Sequence, residues 1–174
     1  MSISHTARME PRTARHSDAA ELVRLRGIMF ESMGIDASAP RWRRNCERYF
    51  AERLERPGLL AAVIDAPQGP GLAASGIAEL FHRLPSPRWP TGRYAYLSSF
   101  STDPRWRRHG FATALLAFLL DELRQREVSV AELHATADGE HLYSSFGFAQ
   151  RTTGRELRLD LSRGPLRTHT SGSQ

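Results

Sequence analysis

The sequence contains no lysine, a single cysteine and no long apolar run. With Cys46 as the one cysteine, an intrachain disulfide and a cysteine-rich zinc site are both excluded. The lack of lysine excludes Schiff-base chemistry and the lysine-dependent P-loop that binds nucleotide phosphates. Residues 1–10 lack the apolar core of a signal peptide, and no stretch approaches the roughly 18 apolar residues of a membrane span. We therefore expect a cytoplasmic protein with no membrane partner and no metal.

The composition is that of one soluble globular domain, with 174 residues, 40% of them hydrophobic and 25% charged. The net charge is +5, and arginine supplies all 24 basic residues. The planar guanidinium suits phosphate groups, but the codon preference of a GC-rich genome would also replace lysine by arginine. No helix-turn-helix, zinc or RNA-binding aromatic motif accompanies these arginines, so we expect no nucleic-acid partner.

Hydrophobic periodicity and turn residues predict helices and strands that together form a mixed α/β sheet. The predicted elements are an edge strand Ala7–Ala14, helices from Ser17 or Asp18 to Met33 and from Pro40 to about Pro57, strands Leu59–Ala66, Gly71–Leu84 and Tyr94–Thr102, a helix Gly110–Arg126, a strand Val128–Thr136, a short helix Gly139–Ser145 and a strand Arg155–Leu161. Residues 1–161 are expected to form one domain. The polar residues 162–174 are expected to be a flexible tail.

The most informative segment begins where the strand ending at Thr102 gives way to a basic turn and a helix. Gly110 and Ala112 keep the first helical turn small, so a ligand can approach the backbone. The unpaired N–H groups of a helix start and the helix dipole favour an anion such as a pyrophosphate. Three basic residues precede the helix: Arg107, Arg108 and His109. An amphipathic helix with a solvated basic first turn is the alternative interpretation.

Two motifs in this part of the chain resemble those of the GNAT acyltransferase superfamily. Residues 107–112 read Arg-x-x-Gly-x-Ala, which is similar to the acyl-CoA-binding signature of that superfamily. Residues 133–136 and 142–148, Leu-His-Ala-Thr and Leu-Tyr-Ser-Ser-Phe-Gly-Phe, resemble its second conserved block. The resemblance implies an α+β fold with a central, mostly antiparallel sheet flanked by helices. It also implies a sheet splayed between the strands that end near Thr102 and Thr136.

The resemblance further implies an N-acetyltransferase that transfers the acetyl group of acetyl-CoA directly to a primary amine and releases coenzyme A. The acceptor would be a small molecule or a peptide or protein, and the resemblance leaves both a monomer and a homodimer open. The residues it assigns to acetyl-CoA are Phe100, Ser101, Thr102, Arg107, Arg108, His109, Gly110, Phe111, Ala112 and Thr113. The family often has Asn where Thr136 or Ala137 stands here. An acyl-CoA-binding sensor without turnover is therefore a second hypothesis.

For catalysis, the resemblance implies that Tyr143 donates a proton to the departing thiolate. A tyrosine that only packs beneath the ligand is the alternative interpretation. The base that deprotonates the amine stays open between Glu79 and His134, with His82 and Glu140 as weaker candidates. Glu79 lies on the strand before the proline-rich loop, and His134 lies on the strand after the signature helix.

Overall fold

The structure, a computed structural model, describes residues 9–150 of the chain. The predicted strand Arg155–Leu161 and the predicted tail 162–174 lie outside the described residues. Within them, the helices are α1 Ala19–Ser32, α2 Pro40–Arg53, α3 Phe111–Gln125 and α4 Glu140–Ser145, and the strands are β1 Arg12–Thr13, β2 Leu59–Asp65, β3 Leu72–His82, β4 Arg93–Thr102 and β5 Val130–Leu133. Short 3-10 turns stand before α1 and α4 and between β4 and α3.

The strands form one five-stranded sheet in the order β1-β2-β3-β4-β5. The first four strands are antiparallel, and β5 runs parallel to β4. This confirms the expected mixed, mostly antiparallel sheet flanked by helices. The two outermost strands depart most from their predicted lengths: within the described residues, β1 pairs with β2 only from Arg12, because Pro11 has no N–H to donate. At the other edge, β5 is confined to Val130–Leu133, the four residues that pair with β4.

Both faces of the sheet are buried, and each is covered by different helices. Alternate residues of β2 divide between two apolar clusters, so that Ala62 contacts the α3 side and Val63 the side of α1 and α2. Leu116 and Leu119 of α3 are fully buried in the first cluster. Leu25 of α1 is fully buried in the second. Burial on both faces explains why β2 reads as a continuous apolar run rather than an alternating one.

Turn residues set the ends of the first two helices. After α1, Gly34 adopts a left-handed φ of 73°, which ends the helix as the sequence predicts. Pro40 is the first residue of α2, where its missing N–H costs nothing. Within residues 9–150, no helix combines the length and the apolarity needed to cross a membrane.

Candidate active site

A bulge interrupts β4 near its carboxyl end. Ser99 and Phe100 together lie opposite Gly76 of β3, because the register shifts at this point. Ser99 adopts a left-handed φ of 56°, a conformation that costs a non-glycine residue on the order of 1 kcal/mol. A Cβ on Gly76 would lie 2.8 Å from the Phe100 ring, so glycine is required beneath the bulge. Strained bulges of this kind occur where a strand is shaped for a ligand.

Beside the bulge, β4 and β5 separate. Their parallel pairing runs from Tyr94 opposite Val130 to Leu97 opposite Leu133 and then stops. From there to Thr102, the edge of β4 that faces β5 has no strand partner within the described residues. An open strand edge can hydrogen bond to an extended ligand as though to another strand. The expected splay is therefore present, and it exposes the backbone of the residues predicted to bind the cofactor.

The segment after β4 turns its backbone towards the start of α3. Arg108 and Gly110 both adopt left-handed φ angles, of 67° and 75°. No side chain caps the helix at Gly110, so the N–H groups of its first turn are available to a ligand. Those groups belong to Phe111, Ala112 and Thr113. The side chains before the helix are exposed, and neither Arg107 nor Arg108 forms an ion pair within residues 9–150. This loop can bind a phosphate-bearing ligand through its backbone and its charge.

A buried carboxylate anchors this loop to α1. Asp103, only 4% exposed, accepts hydrogen bonds from the backbone and guanidinium of Arg105. It also accepts one of 2.7 Å from Arg24 of α1. The bonds from Arg105, followed by those from Arg24, hold the pKa of Asp103 well below its usual range. Sequence reasoning missed the Arg24–Asp103 pair, because the two residues are 79 positions apart and form no local motif.

Tyr143 lies on the α3 side of the gap between β4 and β5. Its ring meets the Phe100 ring edge-on, with 5.8 Å between the centroids. A Cβ on Gly139 would lie 2.9 Å from its Cε2 atom, so Gly139 allows the ring to take this position. Burial raises the pKa of Tyr143, which keeps its hydroxyl protonated and able to donate. Sequence reasoning also missed Gly76 and Gly139, whose importance comes only from the rings packed against them.

The candidate bases lie on the opposite face of the sheet, towards α1 and α2. The half-buried Glu79 of β3 accepts a 2.8 Å hydrogen bond from the hydroxyl of Tyr49 in α2. His134, just beyond β5, shares a 2.8 Å hydrogen bond with the hydroxyl of Tyr96 in β4. Because Glu79 and Tyr96 are direct partners across the two strands, these hydrogen-bonded pairs are neighbours. The two candidate bases therefore share one face of the sheet.

Other suggested positions lie elsewhere. The proline-rich loop after His82 joins β3 to the start of β4, about 20 Å along the strand from Ser99 at 3.3 Å per residue. His82 thus sits at the far end of the sheet from the gap. It lines an open cleft of about 450 Å³ at that end, together with Leu80 and Tyr94. A second open cleft, of about 400 Å³, lies between the end of α1 and the segment after β5, lined by Ser32, Met33, Thr136 and Ala137. Within residues 9–150, no group of three His, Cys, Asp or Glu side chains is placed to hold a metal ion.

Comparison with known proteins identifies the family. A predicted acetyltransferase from Clostridium acetobutylicum, crystallised with acetyl-CoA, is 25% identical, with a TM-score of 0.75 over 86% of this chain and 95% of that one. A GCN5-related N-acetyltransferase from Ralstonia eutropha is 24% identical, with a TM-score of 0.72 over 86% and 97%. Glucosamine-6-phosphate N-acetyltransferase from Arabidopsis thaliana shares the fold at 16% identity, with a TM-score of 0.68 over 87% and 98%.

No curated protein matches the chain. The model of the acetyltransferase (GNAT) family matches residues 26–148. That span contains the bulge in β4, the loop before α3 and Tyr143. The match covers well over half of the 174 residues. The chain therefore belongs to the acetyltransferase (GNAT) family and is an acyltransferase of that type.

Proposed function

We propose that this protein transfers the acetyl group of acetyl-CoA to a primary amine of a small molecule or a peptide. The observation that carries the proposal is the gap between β4 and β5 beyond Leu97 and Leu133. β4 forms one side of that gap, and the unpaired N–H groups at the start of α3 follow β4 along the chain. Tyr143 lies beside the gap, against Phe100 of β4. An open strand edge next to an uncapped helix start suits a ligand with an extended amide arm and a pyrophosphate.

The residues present fit acetyl-CoA. The backbone from Phe100 to Thr102 would pair with the amide arm, and the loop from Arg107 to Thr113 would bind the pyrophosphate. A β4 amide near Phe100 would hydrogen bond to the acetyl carbonyl, as in an oxyanion hole. When bound, acetyl-CoA supplies an acetyl thioester, whose carbonyl carbon gains a bond to the amine nitrogen as its bond to sulfur breaks. Coenzyme A then leaves as the second product.

Two proton transfers by this chain's residues balance the reaction. The Tyr143 hydroxyl donates a proton to the leaving sulfur, a role suited to a tyrosine that burial keeps protonated. On the other face, Glu79 or His134 accepts the proton that the amine must lose. Tyr49 supports Glu79 by donating to its carboxylate, and Tyr96 supports His134 through their shared hydrogen bond.

Calorimetric titration of acetyl-CoA and of free coenzyme A, followed by an acetylation assay on a broad amine panel, tests the proposal. We expect acetyl-CoA to bind and at least one primary amine to be acetylated. Failure of both ligands to bind would refute the proposal. Binding without turnover of any amine would instead favour the acyl-CoA-binding sensor.

The same assay distinguishes the two candidate bases. Glu79→Gln and His134→Gln each remove a proton acceptor while keeping the approximate size of the side chain. The variant that lacks the base should lose about 100-fold in kcat near neutral pH, because a positioned base contributes at least that factor. Raising the pH should restore part of the loss by deprotonating the amine without enzyme assistance. Equal, small effects of both substitutions would assign the proton to water instead.

A further inference from the structure

One arginine beside the gap has no partner of opposite charge among residues 9–150. Arg26 of α1 is half-buried, and its Nη1 donates a 2.9 Å hydrogen bond to the Oγ of Ser99, the strained residue of the bulge. Its guanidinium also lies over the Phe30 ring, with Cζ 4.9 Å from the ring centroid. These two contacts fix the plane of the guanidinium, so that its remaining N–H groups point in set directions.

Several exposed arginines also lack an ion pair, but the half-buried arginines of residues 9–150 other than Arg26 each have one. Arg24, two residues earlier, forms ion pairs with Glu21 and Asp103. Arg12 likewise forms ion pairs with two carboxylates. Within residues 9–150, no carboxylate lies within 4.0 Å of the Arg26 guanidinium, and the hydroxyl of Ser99 is its one hydrogen-bond partner. A partly buried charge with only a neutral partner gains free energy when an anion completes its fork of donors.

The position of Arg26 indicates which anion this could be. Ser99 lies in β4 beside Phe100, where the acetyl carbonyl is proposed to bind. It is three residues beyond Tyr96, about 10 Å along the strand, on the side that faces α1. The guanidinium therefore lies with the candidate bases on the acceptor face, whereas the pyrophosphate loop begins only after Asp103. An acceptor bearing positive charge alone would be repelled at this point.

We propose that Arg26 binds an anionic group of the acceptor, which is therefore a primary amine that also carries a carboxylate or a phosphate near the amine. The planar guanidinium can donate two parallel hydrogen bonds to either anion. This inference rests on the proposed function, because it assigns the acceptor side of the same site. It narrows the acceptor from any primary amine to an anionic one.

Steady-state kinetics on matched acceptors tests it. Free α-amino acids are compared with their carboxamides, and phosphoethanolamine with ethanolamine, for the wild type and for Arg26→Gln. The wild type should prefer one or both anionic acceptors over their neutral counterparts. A preference in only one of the two pairs shows whether the site takes a carboxylate or a phosphate. In Arg26→Gln, kcat/KM for the preferred anionic acceptor should fall about 10- to 100-fold, mainly through KM, as expected for hydrogen bonds to a charged group. For the neutral counterpart, kcat/KM should be the same in Arg26→Gln and in the wild type. Because each acceptor is compared between the two enzymes, differences in intrinsic reactivity among the amines cancel.

Two further variants control the result. Arg48→Gln removes one positive charge from the exposed surface of α2, where Arg48 donates a hydrogen bond to Asn45, and should leave kcat/KM for every acceptor unchanged. Arg26→Lys keeps the charge but loses the planar fork, and should restore only part of the preference. Calorimetry should show that Arg26→Gln binds acetyl-CoA as the wild type does.

Several results would overturn the inference while leaving the proposed function intact. One is equal loss on anionic and neutral acceptors, which would place Arg26 at the acetyl group. Another is weaker acetyl-CoA binding by Arg26→Gln, which would assign the residue to the cofactor. A third is a wild type that binds acetyl-CoA but prefers neutral amines or acetylates none of the anionic probes. Failure of the wild type to bind acetyl-CoA would instead refute the proposed function itself.

Discussion

The two faces of the sheet build their parts of the candidate site in different ways. On the α3 face, backbone groups of one contiguous segment, residues 100–113, form the open strand edge and the uncapped helix start. On the other face, side chains from separate elements converge, as when Arg26 reaches Ser99 across 73 positions or Tyr49 reaches Glu79 across 30. A site made from backbone is local in sequence, whereas a site made from side chains depends on the whole fold.

The division also separates the two proton transfers. Tyr143 packs with Phe100 on the α3 side, whereas Glu79 and His134 lie on the side of α1 and α2. The gap beyond Leu97 and Leu133 lies between these two faces. Substitutions on one face should therefore change the leaving-group step or acetyl-CoA binding. Substitutions on the face towards α1 and α2 should change the binding or deprotonation of the acceptor amine.

The largest effect is expected from Tyr143→Phe, which removes the proposed acid from the α3 face. We expect kcat to fall about 100-fold or more, the usual contribution of a positioned proton donor, with acetyl-CoA affinity unchanged. Tyr94→Phe is a matched control, since it removes a tyrosine hydroxyl at the far end of β4 and should leave kcat unaltered. Activity of the wild type should persist to high pH, because burial raises the pKa of Tyr143 and only its protonated form donates. Unchanged turnover in Tyr143→Phe would show that the ring only packs.

The same division explains what the sequence could predict. The helix start at Gly110, the succession of helices and strands along the chain and the splay follow from local patterns and a motif resemblance. The bulge could not be predicted, because it depends on how Ser99 and Phe100 fit over Gly76 in another strand. For the same reason, Arg26 carried no signal of its own among 24 arginines.

A smaller effect, on stability, is expected from Asp103→Asn, which tests whether the cofactor loop depends on α1. Loss of the carboxylate weakens the charged hydrogen bonds from Arg24 and Arg105 and should lower the free energy of unfolding by about 2 kcal/mol at pH 7. The folded-state pKa of Asp103 is depressed, so its stabilising contribution is complete above the unfolded pKa near 3.9 and is lost as pH falls towards the folded value. Urea unfolding at pH 7 and pH 3 should therefore show a smaller difference between variant and wild type at the lower pH.

A control for that experiment is Asp121→Asn, which removes the carboxylate of an exposed ion pair with Arg124. Exposed pairs contribute little, so this variant should unfold as the wild type does. If Asp103→Asn were no less stable than Asp121→Asn at pH 7, the contact between α1 and the loop would be incidental. The loop before α3 would then be stable without its contact to α1.

The smallest effect is expected from Gly110→Ala, which tests whether the α3 face binds acetyl-CoA through its backbone. Gly110 has a φ of 75°, and a Cβ there would meet no atom within 4 Å, so the substitution adds backbone strain without a clash. Gly69, in the turn between β2 and β3, has a φ of 77° and equally open surroundings. Both alanine variants should lose about 1 kcal/mol of stability, since a left-handed conformation costs that much without glycine. Calorimetry should show weaker acetyl-CoA binding, by about fivefold, for Gly110→Ala alone, because relieving about 1 kcal/mol of strain by moving the loop corresponds to that factor. Equal affinities in the two variants would mean that the left-handed turn before α3 shapes the fold but not the cofactor site.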